Sequence, residues 1–181
     1  MDFVIRRAGT EEFAVLGELT AQAYLHDGFL DFGESDAYLD ELRDVGGRAA
    51  AAEVLAAAVD DHVLGGVTFV PSGGPMADIA RSGEAEIRML AVAPEARRRG
   101  IGEALVRACT DRARSVPGCA GIVLSTQRTM RTAHRLYERL GFVRTPDRDW
   151  NPLPELDGIS LLTYGLTFPG HGPPPRPDAA P

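Results

Sequence analysis

The sequence predicts one α/β domain, built on a mixed β-sheet of about seven strands with helices on both faces. The chain has 181 residues, of which 44% are apolar. That is enough for one hydrophobic core and too little for two ordinary domains. Strand-like and helix-like apolar patterns follow one another in the order β-α-α-β-β-β-α-β-α-β-β. Strands interleaved with helices in this way are typical of a sheet that is covered on both sides.

The first third of the chain predicts a short strand followed by two helices. Residues 3–7 have the composition of a strand. Thr10, followed by Glu12 and Phe13, opens a helix that runs to about residue 24. A second helix is predicted over residues 36–45. The inward faces consist of Phe13, Leu16, Leu19 and Ala23 in the first helix and of Ala37, Tyr38 and Leu42 in the second.

The middle of the chain predicts a hairpin, a loop, a strand and a helix. Two strands, Glu53–Val59 and His62–Val70, are joined at Asp60-Asp61. Residues 71–83 are rich in Gly, Pro and Ser, which predicts a loop. The next strand covers residues 84–93, and a helix follows over residues 100–114.

The last part predicts a strand at 121–126, a helix at 130–140 and closing strands at 142–148 and 160–168. Six of the 13 prolines lie in residues 169–181 with few apolar residues, which predicts a mobile, partly polyproline tail. The domain is therefore expected over residues 1–168 and the tail over 169–181.

Composition excludes several classes of protein. No apolar run approaches the ~18 residues of a membrane span, and the first residues do not resemble a signal peptide. Two cysteines, Cys109 and Cys119, cannot form a disulfide framework, which favours a reducing, cytoplasmic setting. Neither cysteine has metal-ligand spacing, so no metal site is expected.

The charge distribution points to an anionic ligand. The net charge of −7 argues against a nucleic-acid binder. Residues 87–144 carry a net +8, whereas residues 1–62 carry −10. This asymmetry suggests an anionic ligand at the basic middle and a cationic ligand at the acidic part, although solvated surface charge is an equally valid interpretation.

One segment has the features of a pyrophosphate-binding turn. An apolar strand ends near Pro94, the three arginines Arg97, Arg98 and Arg99 follow, and Gly100-Ile101-Gly102 opens an amphipathic helix. A helix N-terminus directs backbone N–H groups and positive potential at an anion, and arginine adds planar donors. The alternative is a helix start with glycines for close packing and solvated arginines.

This segment resembles the acetyl-CoA signature of the GNAT superfamily of N-acetyltransferases. Arg97-x-x-Gly100-x-Gly102 after Leu90-Ala91-Val92 is similar to the family motif Gln/Arg-x-x-Gly-x-Gly/Ala. Residues 133–142 are similar to a second family block, A-x-x-L-Y-x-x-x-G-F. The resemblance covers roughly residues 3–168 and implies a mostly antiparallel sheet.

The resemblance implies a set of residues that bind acetyl-CoA. Backbone N–H groups at a β-bulge near Leu90 to Val92 would hold the pantetheine arm and the thioester carbonyl, with Val92 as the oxyanion contact. The family often has asparagine where this chain has Met130. That contact is then absent or supplied by Thr126 or Thr129. The full set is Leu90, Ala91, Val92, Arg97, Arg98, Arg99, Gly100, Ile101, Gly102 and Thr126.

Two residues are catalytic candidates. Tyr137 would be the general acid that protonates the leaving thiolate, or it is a core residue at helical spacing. Glu86 would be the general base that accepts the proton of the amine. Alternation along residues 84–90 places Glu86 with Arg88 on a face that we expect to line a wet cleft, and the alternative is a structural ion pair.

Other side chains give weaker signals. His134 lies in the second block, and we interpret it as a surface or packing residue. Trp150 either walls the acceptor pocket or packs a strand end.

The resemblance implies acetyl transfer to a primary amine by direct attack in a ternary complex. The acidic residues Asp27, Asp31, Glu34 and Asp36 lie in the expected acceptor loop and favour a small cationic amine. A non-catalytic acyl-CoA-binding module and a protein N-terminal acetyltransferase are the alternatives. No nucleic acid, membrane or metal partner is expected, and a homodimer stays open.

Overall fold

The computed structural model describes residues 2–170, which form a seven-stranded sheet. Its strands are β1 (Val4–Arg7), β2 (Glu53–Val59), β3 (His62–Val70), β4 (Glu84–Val92), β5 (Gly121–Gln127), β6 (Val143–Arg144) and β7 (Leu161–Thr167). The spatial order is β1-β2-β3-β4-β5-β7-β6. All neighbours are antiparallel except β4 and β5, which are parallel. The predicted mixed, mostly antiparallel sheet is confirmed.

Five α-helices occur in the described residues: α1 (Phe13–His26), α2 (Tyr38–Arg43), α3 (Val45–Ala51), α4 (Ile101–Ser115) and α5 (Arg131–Arg139). Four short 3₁₀ turns lie at Thr10–Glu12, Gly33–Ser35, Pro94–Ala96 and Pro146–Arg148. Among the helices in residues 2–170, none is long and apolar enough to cross a membrane.

The helices cover both faces of the sheet, as predicted. On one face, Leu105 of α4 packs with Ile87 of β4 and Leu124 of β5 in the main core cluster. On the other face, Leu16 of α1 packs with Ala56 of β2 in a second cluster. Strand alternation separates the two cores, because successive side chains point to opposite faces.

The predicted helix over residues 36–45 is present as α2, two residues shorter at each end, and it is followed by a further helix, α3, which was not predicted. Asp44 has a non-helical backbone, and its carboxylate accepts a hydrogen bond from the Gly47 N–H at 2.8 Å. It therefore caps a new helix. The Arg48 guanidinium returns to donate to the carbonyls of Glu41 and Leu42, both at 2.7 Å, which closes the end of α2.

The predicted closing strand at 142–148 is also too long. Only Val143–Arg144 pairs with β7, and a 3₁₀ turn begins at Pro146. Proline has no N–H to give to a strand partner, so pairing ends before it. The other predicted strands and helices differ by a few residues at their ends. Of the predicted tail, residues 171–181 lie outside the described residues.

A buried ion pair fixes the start of β4. Arg148 donates to both carboxylate oxygens of Glu84, at 2.9 and 2.8 Å, and to the Ile79 carbonyl at 2.7 Å. The Glu84 carboxylate also accepts the Arg81 N–H at 2.9 Å. The loop over residues 71–83 is thereby attached to the start of β4.

Candidate functional site

The sheet opens into a cleft between its two parallel strands. β4 and β5 pair only from Glu84 with Gly121 to Ile87 with Leu124. β4 continues to Val92 and β5 to Gln127 without further pairing between them. The facing edges of both strands therefore lack a strand partner beyond this point, and their backbone groups are available to a ligand.

A β-bulge reshapes β4 along this cleft. Thr68 pairs with Arg88 and Gly66 with Ala91, so that Met89 and Leu90 together face one residue of β3. Met89 has φ of +53°, in the left-handed region. The bulge was predicted near Leu90 to Val92, and the register places it at Met89 and Leu90. A bulge redirects backbone groups out of the ladder.

At the mouth of the cleft the chain forms a turn whose backbone is suited to an anion. Arg98 and Gly100 both have left-handed backbone, with φ of +62° and +79°, and α4 begins at Ile101. A Cβ built on Gly100 would meet no atom within 4 Å, so the space in front of this turn is open. The first N–H groups of α4 have no intrahelical acceptor and point toward that space.

The second glycine of the motif lies next to α5. A Cβ on Gly102 would lie 3.5 Å from Leu136 Cδ2, which is ordinary contact. The two motifs found in the sequence therefore meet in space at the start of α4.

Arg97 has a different partner from the one expected. Its guanidinium donates to both oxygens of Asp27, at 2.9 and 2.7 Å, and its Nε to the Val92 carbonyl at 3.3 Å. Its side chain is thus committed to Asp27, the residue directly after α1, and its backbone N–H donates to the Pro94 carbonyl at 3.4 Å. Arg98 and Arg99 are exposed beside Gly100.

Tyr137 lies in α5 and is only 5% exposed. Its ring packs against Phe142 and Tyr164, with centroids 6.0 and 5.9 Å apart. Burial raises the pKa of the Tyr137 phenol above its ordinary value. The phenol therefore stays protonated at neutral pH, as a proton donor must be.

Glu86 does not face a wet cleft, and that expectation was wrong. The side chain is 1% exposed, and its Oε2 accepts the N–H groups of Asp78, Ile79 and Ala80 at 2.9, 3.0 and 3.0 Å. The strand pattern could not show this, because the partner amides belong to the 71–83 loop, which directly precedes β4 and folds back onto it. Burial raises the pKa of Glu86, although the loop N–H groups act in the opposite direction.

The alternative ion pair between Glu86 and Arg88 is not formed either. Arg88 pairs with Asp78 at 3.0 Å and donates to the Met76 carbonyl at 2.8 Å. Both contacts hold the same 71–83 loop. Arg88 follows the last β4–β5 pair directly and so marks the narrow end of the cleft.

Thr126, the suggested substitute for the missing asparagine, is buried. Its hydroxyl contacts the Met130 sulfur at 3.4 Å. The other suggested substitute, Thr129, is exposed.

Aromatic side chains gather on the α1 side of the cleft. Tyr24 contacts Phe29 edge-on and Tyr38 at a tilt, with centroids 6.1 and 6.3 Å apart. Across the cleft, Trp150 donates from Nε1 to the Ser125 hydroxyl at 2.9 Å. The Gln127 amide at the end of β5 donates to the Phe29 carbonyl. Sequence analysis did not single out Gln127, because a polar strand end carries no distinctive pattern.

The acidic residues of the loop that was predicted to receive the amine are of two kinds, paired and unpaired. Asp27 pairs with Arg97, and Asp36 accepts the N–H groups of Phe32 and Tyr38 at 3.3 and 3.0 Å. Asp31 and Glu34 are exposed. Within residues 2–170 their carboxylates make no hydrogen bond or ion pair.

The contacts of His134 and of the two cysteines indicate structural roles rather than catalytic ones. His134 contacts the Gln127 carbonyl at 2.9 Å and packs on the Tyr164 ring. Cys109 and Cys119 are free and buried, and burial raises the pKa of Cys109 to about 12. Across the described part of the chain, no group of three or more His, Cys, Asp or Glu residues could hold a metal ion.

The model of the acetyltransferase (GNAT) family matches residues 18–142. No curated protein matches the chain significantly.

Solved structures share the fold at low sequence identity. The yncA protein of Salmonella typhimurium, solved with its cofactor acetyl-CoA, has a TM-score of 0.68 and 22% identity, covering 99% of this chain and 100% of its own. NAA60 of Arabidopsis thaliana, in complex with a bisubstrate analogue, has a TM-score of 0.68 and 18% identity over 93% and 99%. A ribosomal-protein-alanine N-acetyltransferase of Brucella melitensis has the same TM-score and identity, over 91% and 99%.

Proposed function

The chain belongs to the acetyltransferase (GNAT) family, and on that basis we propose that it transfers the acetyl group of acetyl-CoA to the nitrogen of a primary amine. The observation that carries the proposal is the cleft between β4 and β5, which ends at the anion-binding turn before α4. A long ligand with an anionic centre and an extended arm matches this combination of surfaces.

The residues along the cleft fit acetyl-CoA. The N–H groups of the turn from Arg98 to Gly102 would hold the pyrophosphate, and Gly100 leaves room for it. The unpaired edge of β4 would hold the pantetheine arm, and an N–H at or after the bulge, with Val92 as our assignment, would polarise the carbonyl. Acetyl-CoA supplies an acyl group that is already activated as a thioester.

Tyr137 is our proposed general acid. It lies on α5, the helix that packs against the cofactor turn through Leu136 and Gly102. Its surroundings are apolar, and the same dry site also raises the pKa of the leaving thiol above its ordinary value of about 8.5, so that the thiolate becomes a strong enough base to take the proton of the phenol.

Glu86 remains our proposed general base, acting through water. Three N–H groups fix its Oε2, whereas its Oε1 makes no hydrogen bond to any residue in the described range 2–170. Because burial raises its pKa, this carboxylate is a better proton acceptor than an exposed one. Glu86 lies two residues before Arg88, at the narrow end of the cleft.

For the acceptor, we propose a small cationic amine. Asp31 and Glu34 are the two loop carboxylates that remain exposed and unpaired in the described structure, and they would attract a cation. The tyrosine and phenylalanine rings beside them offer π faces to it. The two free cysteines agree with the proposed cytoplasmic location.

A thiol-release assay across amine classes tests the proposal. We expect turnover of acetyl-CoA with polyamines or aminoglycosides, and a KM for the amine that rises with salt, because exposed charges are screened over ~8–10 Å. Acetyl-CoA binding without turnover on any amine would indicate a binding module. A preference for peptide N-termini would indicate a protein acetyltransferase.

The Gly100→Asp substitution should abolish tight binding of acetyl-CoA. It introduces a negative charge where the pyrophosphate is proposed to lie, and we expect affinity to fall by roughly 10–100-fold. Gly100→Asn is the matched control, because asparagine has the same size and tolerates left-handed backbone. Calorimetry should show a much smaller loss of acetyl-CoA affinity for Gly100→Asn than for Gly100→Asp. Equal affinity in both folded variants would contradict the proposed site.

The Tyr137→Phe substitution should lower kcat by about 10–10⁴-fold and leave acetyl-CoA affinity nearly unchanged. Tyr164→Phe is the control, since the neighbouring Tyr164 hydroxyl donates to Glu138 instead, at 3.0 Å. Steady-state kinetics on the best amine separates the two variants. A wild-type kcat for Tyr137→Phe would show that Tyr137 is a packing residue and not the general acid.

The Glu86→Gln substitution should change the pH dependence of turnover as well as its rate. A carboxylate base is active above its own pKa, which burial raises, so wild-type kcat/KM should rise with pH on a limb that the variant lacks. Glu84→Gln is the control for a loosened 71–83 loop, because Glu84 also anchors that loop. If both variants lose rate with unchanged pH profiles, Glu86 only anchors the loop.

A further inference from the structure

Helix α1 ends in a hydrogen-bonded turn that contacts the cofactor turn through the ion pair of Asp27 with Arg97. The N–H of Phe29 bonds to the Tyr24 carbonyl at 3.0 Å and that of Gly28 to the Leu25 carbonyl at 3.1 Å. This pair of bonds is a Schellman motif, and Gly28 has the φ of +68° that the motif requires. The direction in which the acceptor segment, residues 27–37, leaves the helix is therefore fixed.

Asp27 is the last residue of this helix end, and its charge is unfavourable there. A carboxylate at a helix C-terminus opposes the helix dipole, where a cation would be favoured. Asp27 is nevertheless only 22% exposed, because it is held in a two-point contact by Arg97, itself 36% exposed. The carboxylate of Asp27 at this position is therefore explained by its ion pair with Arg97 and not by the stability of α1.

Arg97 is held from both sides. Its Nε donates to the carbonyl of Val92, the last residue of β4, while its two terminal nitrogens hold Asp27. Arg98, with strained left-handed backbone, follows directly. The guanidinium therefore joins three parts of the site: the end of β4, the cofactor turn and the acceptor segment.

A second contact attaches the same segment to the other strand of the cleft. Gln127, the last residue of β5, donates to the Phe29 carbonyl. The acceptor segment is thus attached through Asp27 to the β4 side and through Phe29 to the β5 side. It spans the two strands at the open end of the cleft.

We propose that Arg97 is a positioning residue, whose ion pair with Asp27 makes the order of the acceptor segment depend on occupation of the cofactor turn. The proposal rests on the function proposed above and gives this motif arginine a role other than binding phosphate. A ligand that immobilises the turn also immobilises Arg97, and through Asp27 the segment that receives the amine. Because coupling is reciprocal, loss of the pair must also weaken ligand binding to the turn.

Hydrogen exchange with coenzyme A as the probe tests this coupling. The segment offers measurable amides, since the N–H groups of Gly33, Ser35 and Asp36 are hydrogen-bonded. In wild type, coenzyme A should slow exchange in the 97–102 turn and in residues 28–36. In Asp27→Asn it should still slow exchange in the turn, while the added protection of residues 28–36 falls roughly 3–10-fold.

The controls separate coupling from general loosening. Asp31→Asn removes the same charge from the same segment without touching Arg97 and should retain the coenzyme A effect. Asp27→Glu keeps a carboxylate and should restore part of it. Arg97→Lys, which loses the two-point contact, should resemble Asp27→Asn and provides the test if that variant does not fold.

Three results would overturn the inference. Protection of residues 28–36 that does not respond to coenzyme A in wild type would show that the segment is not coupled to the turn. An Asp27→Asn variant with wild-type response would show that the pair is not the link. Equal loss of protection with and without coenzyme A would show a purely structural pair. Failure of coenzyme A to bind wild type would instead refute the proposed function.

Discussion

The end of pairing between β4 and β5 is the constraint on which the rest of the site depends. After Ile87 and Leu124 the two strands diverge. This leaves two unpaired backbone edges in the middle of an otherwise continuous sheet. Such edges are normally costly, because buried N–H and C=O groups require partners. A long ligand that hydrogen-bonds along one edge satisfies them. The bulge at Met89 lies along the same cleft, and the turn at Gly100 lies at its end, where an anionic group of the ligand would bind.

Charged side chains fix the loops around this cleft. Arg148 with Glu84 and Arg97 with Asp27 join elements that are distant in sequence, and Arg88 with Asp78 joins β4 to the loop directly before it. Glu86 adds a fourth attachment through three N–H groups. The basic middle of the chain is thus partly used to hold acidic loops, so the acidic part presents less free charge than the sequence suggests. Only some of its carboxylates, such as Asp31 and Glu34, remain available to a cationic ligand.

Local patterns predicted most of the fold, while contacts between distant residues were beyond them. The strands, α1, α4 and α5 follow from apolar periodicity, and the Gly100-x-Gly102 motif marks its turn because glycine is suited to left-handed backbone. Helix α3 was not predicted, because its start depends on one capping carboxylate at Asp44, which apolar periodicity does not reveal. The partners of Glu86 and Arg97 lie in other loops. Alternation along a strand predicts the face of the sheet to which a side chain points, but not which other residues cover that side chain.

The most direct test of the central claim is a backbone amide NMR titration with acetyl-CoA. If the parted strands and the turn form one binding site, amide signals of residues 88–92, 98–102 and 125–127 should shift together at a common affinity. Signals of β1 and β2, at the far side of the sheet, should stay in place. Shifts confined to β7 and β6, with none in the 98–102 turn, would contradict the account.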